Sequence, residues 1–333
     1  MFMSHRPLYL LDRHRIMTFA PRQVAAVAVL CRQADDSLTA GPFSVTHKEL
    51  TPPSGDKHDY MSMSTYVWPD PTKPDGLPYI MRDGQRNPEN DKYDDGPLRR
   101  MCEAVQVLTL AGVLTGKEHY SRRAALLLRT WFLDPATKMN PHLQFGQCVP
   151  GACTGHRRGI IDTATHFPLL LEMAALLPAA AWSDADHAAL MQWMSSYLDW
   201  LLTSEFGKVE SQINNNHAVA CDVLVTSLAL HTGRHEVARH RAEDAKTRRV
   251  AVQIWPDGSM PREIERTMGL NYVCWNLLCF MQLARLAARV GVDLWGYASS
   301  EGRSIRRAAE WALPYLDMKT KPWPWQQINP MDP

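Results

Sequence analysis

Near the middle of the chain the sequence QINNNHAVACD (212–222) runs three asparagines straight into a histidine and then into apolar residues. Asn is a poor helix former because its side chain competes for nearby backbone groups. Capping an incipient helix explains one of the three, Asn214 or Asn215. The two amides left over and the imidazole of His217 look like a binding surface. Together they could hold an anion and move a proton, helped by a helix dipole that favours negative charge at its start. A merely polar helix start is the plain structural alternative.

A second chemistry-bearing run is WPDGSMPREIERTMGLNYVCWNL (255–277), in which Arg262, Glu263, Glu265 and Arg266 precede Tyr272. A solvated, ion-paired helix start would look the same. Tyr272, however, stands in an apolar run where its hydroxyl needs a partner. Arg266 lies six residues before it, and a nearby guanidinium lowers a phenol from its usual pKa of about 10. Tyr66 and Trp68 in HDYMSMSTYVWPDP (58–71) are candidate sugar-stacking platforms, or pins that hold a loop to the core. In QFGQCVPGACTGHRRGIIDT (144–163), Gln144, Gln147, His156, Arg157 and Arg158 sit on a Gly-rich loop ahead of a helix. Adjacent arginines beside amides can take a carboxylate in bidentate fashion, though a solvated basic turn fits as well. No GxSxG, HExxH or Walker pattern occurs, and the histidines lack ligand spacing, so neither a metal nor another cofactor is expected.

The elements that must position these residues are mostly helical. Residues 41–95 are rich in Pro, Gly, Asp and Asn and exclude a regular helix, while Tyr60, Tyr66, Trp68 and Tyr79 argue for order. An ordered loop wrapped over the domain is expected there. Beyond it, apolar spacing of three to four predicts a helix that stops at Gly116, and another over 117–132. Further helices are expected at about 160–179, 183–204, 216–231, 234–254, 269–290 and 302–317, with Ser183 and Asp186 forming a capping box. LAGVLTGKEHYSRRAA and LALHTGRHEVARHRAE both read helix, Thr-Gly-basic, helix, which suggests repeated antiparallel hairpins. No alternating run is long enough for a sheet core.

With 333 residues and 45% hydrophobic composition the chain can bury a sizeable core, read as a single domain spanning 1–333. Its 36 Lys and Arg nearly balance 35 Asp and Glu without blocks of like charge, which argues against nucleic-acid or membrane-surface binding. No apolar stretch approaches the roughly 20 residues of a membrane span. The first residues lack the apolar core and cleavage site of an export signal. Seven cysteines without CxxC pairs read as scattered thiols, although Cys148 and Cys153 are near enough to bridge.

HDYMSMSTYVWPDP, GLPYIMRDGQRNP, WFLDPATKMNPHLQFGQ, GIIDT, NNH, DGSMPREIERT…Y and VDLWGY, in this order from about residue 40 to 328, resemble the alginate lyase superfamily of polysaccharide lyases. Any one of these motifs is weak and the ordered set is specific. The resemblance implies an all-α fold, an incomplete (α/α) toroid of helix hairpins with a deep groove, which the ordered loop would cover. It implies β-elimination on an anionic uronic-acid polysaccharide, glucuronan or alginate-type polymannuronate, by an Asn-His pair, an Arg and a Tyr. Carried over by motif these are Asn216, His217, Arg266 and Tyr272. Tyr66, Trp68, Gln147, His156 and Arg157 are the implied substrate contacts. The Arg-to-Tyr spacing in ERTMGLNY is similar to the branch that includes glucuronan lyases, whereas dedicated bacterial alginate lyases carry one residue more. The bulky HRR before GIIDT departs from the family pattern and bears on subsite preference. A polymer substrate implies the periplasm or the exterior, which the N-terminus does not support, so localisation stays open.

That chemistry suits these residue types. Neutralising the uronate carboxylate makes its C5 proton removable, and Asn216 and Arg266 could stabilise the enediolate-like intermediate. Tyr272 could serve as both base and acid with His217 assisting, or His217 could be the base for the opposite epimer. Two other readings stand beside it: a glycoside hydrolase using Glu263 and Glu265 as its carboxylate pair, and a binding protein without turnover.

Overall fold

The computed structural model describes residues 5–19, 23–316 and 321–329. Fourteen helices are assigned among them. In chain order these are α1 (Arg13–Phe19), α2 (Val24–Ser37), α3 (Asp95–Thr115), α4 (Glu118–Phe132), α5 (Ile160–Ala164), α6 (Phe167–Leu176), α7 (Asp184–Thr203), α8 (Glu205–Glu210), α9 (Asn216–His231), α10 (His235–Ala245), α11 (Ala251–Gln253), α12 (Pro261–Ile264), α13 (Gly269–Ala288) and α14 (Ile305–Leu316). Four short strands, β1 (Met61–Met63), β2 (Val67–Trp68), β3 (Ile80–Met81) and β4 (Phe145–Cys148), form a parallel pair β1–β4 and an antiparallel pair β2–β3. The fold is all-α, as expected.

Several boundaries follow from local chemistry. Gly116 closes α3 in the left-handed region, with its N–H on the Gly112 carbonyl. The box at α7 is reciprocal: Ser183 Oγ accepts the Asp186 N–H at 3.1 Å, and Asp186 accepts the Ser183 N–H at 3.0 Å. The helix expected at 160–179 is broken in two. Pro168 lies in the first turn of α6, where its missing N–H is harmless, and α5 ends before it. The helix expected at 234–254 is interrupted by a wider π-turn over 246–250. Helices α1, α2, α8 and α12 were not anticipated, and the expected end of the last helix at residue 317 lies outside the described residues.

The chain packs as two compact units. The first joins the residues up to Ser64 with Pro88–Trp200. Its α3 packs on α2, α4 and α6 over a core that includes Tyr120, Trp131, Phe132, Phe167 and Trp182. Its share of the 41–95 loop is ordered around the buried ion pair Lys48–Asp94, at 3.0 Å, whose ammonium also donates to the Val45 and Asp59 carbonyls. All seven cysteines are free thiols, so no bridge joins Cys148 and Cys153.

The second unit joins Thr65–Asn87 with the residues from Leu201 onward. Its axis is α9, buried continuously from Ala218 to Leu230 and packed against α10 and α13. A buried pair, Arg249 to Asp222 at 2.8 Å, locks the π-turn onto α9. Arg249 also donates to the Ser211 and Ile213 carbonyls, and Gln253 to the Asn215 carbonyl, so the backbone leading into NNNH is held carbonyl by carbonyl. An aromatic cluster of Trp311, Tyr315, Trp323 and Trp325 fastens the last described segment, and Ile328 and Gln327 then bond to Thr267 and Leu270.

Candidate active site

Asn215 is the cap of α9: its side chain accepts the His217 N–H at 3.2 Å. This frees Asn216 and His217 from capping. The Asn216 backbone N–H donates to Glu263 Oε1 at 2.8 Å, and its side-chain amide donates to Glu263 Oε2. The anion at this helix start is therefore Glu263 itself, and the first N–H groups of α9 are already bonded. The backbone N–H groups at this helix start are thus taken by Glu263 and Asn215, and a substrate carboxylate would meet side chains there instead. Asn216 keeps its second amide N–H and its carbonyl oxygen for a ligand. Burial raises the pKa of Glu263, partly offset by the two bonds from Asn216.

His217 Nδ1 lies 3.0 Å from Oε1 of Glu210, a carboxylate with no solvent exposure at the end of α8. An ionised carboxylate only accepts, so the bond places a proton on Nδ1, and in the neutral ring the lone pair then lies on Nε2. Glu263 couples this pair to the next group. Its carboxylate interacts electrostatically with both His217 and Arg266, and its carbonyl accepts the Arg266 N–H at 3.2 Å.

Arg266 is gripped by Asp83, through Nε at 3.1 Å and Nη2 at 2.5 Å. Nη2 also donates to the Tyr272 hydroxyl at 2.8 Å, and the guanidinium carbon lies 3.8 Å from the centre of the Tyr272 ring. This leaves the Nη1 edge for a ligand. Burial works against the Arg266 charge, and Asp83 outweighs it and raises the pKa. Asp83 is aimed by a tight turn. Gly84 has φ +78°, and a Cβ there would fall 2.7 Å from Thr267 Oγ1, the hydroxyl that itself donates to Asp83 at 3.0 Å.

Tyr272 stands in the first turn of α13, and its hydroxyl lies 3.2 Å from that of Tyr66. Its pKa is raised well above the ordinary 10, by burial first and by the Tyr66 hydroxyl second, with Arg266 pulling down by less. The expected net lowering by Arg266 is thus reversed, because a half-enclosed phenolate loses more solvation than one shared guanidinium returns. Tyr272 rests as a neutral phenol. Trp68 pairs with Ile80 in the β2–β3 hairpin, donates its indole N–H to the Gln85 carbonyl at 2.8 Å and is covered by Arg82 at 5.3 Å. It holds the hairpin that carries Tyr66 and Asp83.

Of the expected site residues, Asn216, His217, Arg266, Tyr272 and Tyr66 thus gather in one unit, with Trp68 supporting them. Gln147, His156 and Arg157 belong to the other unit. There Gln147 alone among described non-glycine residues has a positive φ, of 49°, held by its N–H to Ser62 Oγ at 2.7 Å and by Nε2 to Asp162 at 2.9 Å. Asp162 also accepts from Tyr60 and Ser62. His156 caps the turn at Arg157, with Nδ1 accepting the Arg158 N–H at 3.2 Å.

Burial pushes Asp162 up to about 6 from 3.8, against the bonds it accepts. A carboxyl raised in the fold loses stability on ionising, here as pH climbs from about 4 to about 6. Asp162→Asn is expected to remove that loss. The melting temperature of the variant relative to the wild type should rise between pH 4 and pH 6 and then level off. A difference independent of pH would show that Asp162 ionises freely in the fold.

Four acidic residues had no assigned role in the sequence or a different one. Asp83 is flagged only by its Asp-Gly turn, Asp162 only by GIIDT, and Glu210 by nothing local. Glu263, expected as half of a hydrolase pair with Glu265, is 1% exposed and committed to Asn216, while Glu265 is exposed. A glycoside hydrolase needs two carboxylates facing the scissile bond, and Glu263 has no free oxygen to turn toward one. Among the described residues no group of three or more His, Cys, Asp or Glu could hold a metal ion, and no helix is long and apolar enough to cross a membrane.

Comparison with known proteins bears on the family and the fold. The family model for alginate lyase matches residues 44–323. An alginate lyase of Bacteroides ovatus, seen in its crystal structure, is 38% identical with a TM-score of 0.93, over 97% of this chain and 87% of that one. Alginate lyase A1-III from Sphingomonas species A1 is 19% identical with a TM-score of 0.53, over 92% of this chain and 82% of that one. A histidine-to-alanine form of A1-III complexed with a tetrasaccharide is 18% identical with a TM-score of 0.54, over 89% and 75%. The two A1-III likenesses bear on the fold alone. No curated protein matches the chain. With a family model spanning most of its length and a relative this similar, the chain belongs to the alginate lyase family and is a polysaccharide lyase.

Proposed function

We propose that the protein cleaves a β-1,4-linked polyuronate, glucuronan or alginate-type polymannuronate, by β-elimination, leaving a 4,5-unsaturated uronate at the new end. The observation that carries this reading is the pair of half-sites in one unit. Asn216 and His217 are held by Glu263 and Glu210, and Arg266 and Tyr272 are held by Asp83 and Tyr66.

In this reading the substrate carboxylate is bound by the second N–H of Asn216 and the Nη1 edge of Arg266. Charge that moves onto it as the C5 proton leaves then meets fixed donors. His217 Nε2 takes the C5 proton, acting in the neutral tautomer that the Glu210 bond to Nδ1 selects. Tyr272 gives its proton to O4 as the C4–O4 bond breaks. The phenolate so formed is stabilised by the Arg266 guanidinium, the cation already touching it. The resting phenol is why the base role passes to His217 for these polymers as well as for the opposite epimer, with Tyr272 kept as the acid rather than assigned both roles.

The test is incubation with glucuronan, polymannuronate and polyguluronate, following both reducing ends and the ultraviolet absorbance of the unsaturated uronate. New ends with matching absorbance on at least one polymer are expected. Ends without absorbance would make the enzyme a hydrolase, and binding with neither product would make it a lectin-like protein.

A further inference from the structure

One cavity in the second unit, of about 520 Å³, is lined by Asn215, Gln253, Trp255, Arg262, Glu265 and Arg266. That volume falls within the range of roughly 300–1,000 Å³ usual for small-ligand sites. Two of its walls, Asn215 and Arg266, belong to the machinery already described. Trp255 and Arg262 do not, and the exposure of each is unexplained by folding.

Trp255 is 53% exposed, an unusual position for so large an apolar side chain. It is also rigidly presented. It opens the turn WPDGS, in which the Trp255 N–H donates to the Ser259 carbonyl at 2.9 Å and the Gly258 N–H returns to the Trp255 carbonyl at 2.8 Å. Asp257 ties the turn further by accepting from the Ser259 N–H and hydroxyl. Gly258 has φ +95°, and a Cβ there would lie 2.3 Å from the Arg307 carbonyl, so the turn is packed too closely to shift. A platform held this firmly loses little freedom when it binds.

Arg262 is an exposed cation on α12, set by Pro261 one residue before it, and no carboxylate of the described residues pairs with it. It lies four residues before Arg266, and both line the same cavity. Glu265, the cavity's one acidic wall, is exposed and forms no ion pair with Arg262. The cation and the aromatic side chain therefore line one open cavity, on a braced turn and a short helix, together with Arg266.

We propose that this cavity is a further uronate subsite, in which Arg262 takes the carboxylate of one sugar and the Trp255 indole carries that sugar's apolar C–H face. It would bind a sugar next along the polymer from the one reacting at Arg266. The assignment rests on the polyuronate-lyase reading and names where the chain continues.

Both side chains are exposed, so Trp255→Ala and Arg262→Ala should melt within about a degree or two of the wild type. In these variants KM for the cleaved polymer is expected to rise, about tenfold for Trp255→Ala and about threefold for Arg262→Ala, with kcat within twofold. Binding is checked separately in a Tyr272→Phe background, by calorimetry with tetramannuronate and tetraglucuronate. Arg262→Ala should weaken binding there and flatten its salt dependence. Wild-type turnover with unchanged KM and binding in both variants would overturn the subsite alone. Absence of any unsaturated product from the wild type would overturn the lyase reading, and the subsite with it.

Discussion

Tyr272→Phe is expected to lower kcat on the cleaved polyuronate by about a thousandfold, the usual worth of a well-placed acid or base. KM should change little, because the ring stays under the Arg266 guanidinium and only the hydroxyl is lost. The fold should tolerate the change. The hydroxyl bonds Arg266 Nη2 and Tyr66, and losing such contacts costs about 1–2 kcal/mol, a melting shift of a few degrees. The pH profile separates the two roles open to this residue. Burial and Tyr66 hold its pKa above the ordinary 10, so the neutral phenol persists through the neutral and mildly alkaline range. If Tyr272 acts as the acid, its protonation leaves the rate flat there, and the rate falls only as pH passes the raised pKa. If Tyr272 had to act first as a phenolate base, the rate would climb about tenfold per pH unit over the same range. A climbing profile would return both proton transfers to Tyr272. A Phe variant with wild-type kcat would remove it from the chemistry altogether.

The helices that position this site were largely legible because their signals are local. Asn215 capping α9, Gly116 closing α3 and the Ser183–Asp186 box each act within one turn of chain. The split between α5 and α6 was missed although Pro168 was in view, because the apolar pattern continues through the break. The catalytic candidates themselves were legible partly as unusual residues, as with NNNH, and partly through family resemblance. What positions them was not legible. Asp83 lies 183 residues from Arg266, and Glu263 lies 47 from Asn216, so no spacing rule links either pair. The carboxylates also misled by type: Glu263 and Glu265 read as a hydrolase pair until burial separated their roles. The protonation of Tyr272 was misjudged for a related reason. The sequence places Arg266 near it but does not show that Asp83 claims two nitrogens of that guanidinium, or that Tyr66 lies against the hydroxyl.

Glu210→Gln should cost kcat about a hundredfold or more while leaving the fold and KM nearly intact, because it acts on a tautomer rather than on a contact. Glu210 is fully buried on α8, which Ser204 caps through the Gly207 N–H, so its carboxylate is fixed relative to His217. As an acceptor at 3.0 Å it keeps the proton on Nδ1 and the lone pair on Nε2. Glutamine fills the same volume but can turn an N–H toward Nδ1, which favours the tautomer with the proton on Nε2. A His217 in that form cannot receive the C5 proton, and replacing an orienting carboxylate by its amide has cost as much as about 10⁴-fold in a histidine-based hydrolase. The nitrogen chemical shifts of the His217 ring report the tautomer directly. The wild type should show a protonated Nδ1 and a bare Nε2 at neutral pH, and Glu210→Gln should reverse the two as kcat falls. Glu210→Asp, with a shorter reach, should keep the wild-type tautomer and lose less activity. If the glutamine variant keeps both its tautomer and its kcat, the bond to Glu210 is packing only, and the C5 proton is taken by another group.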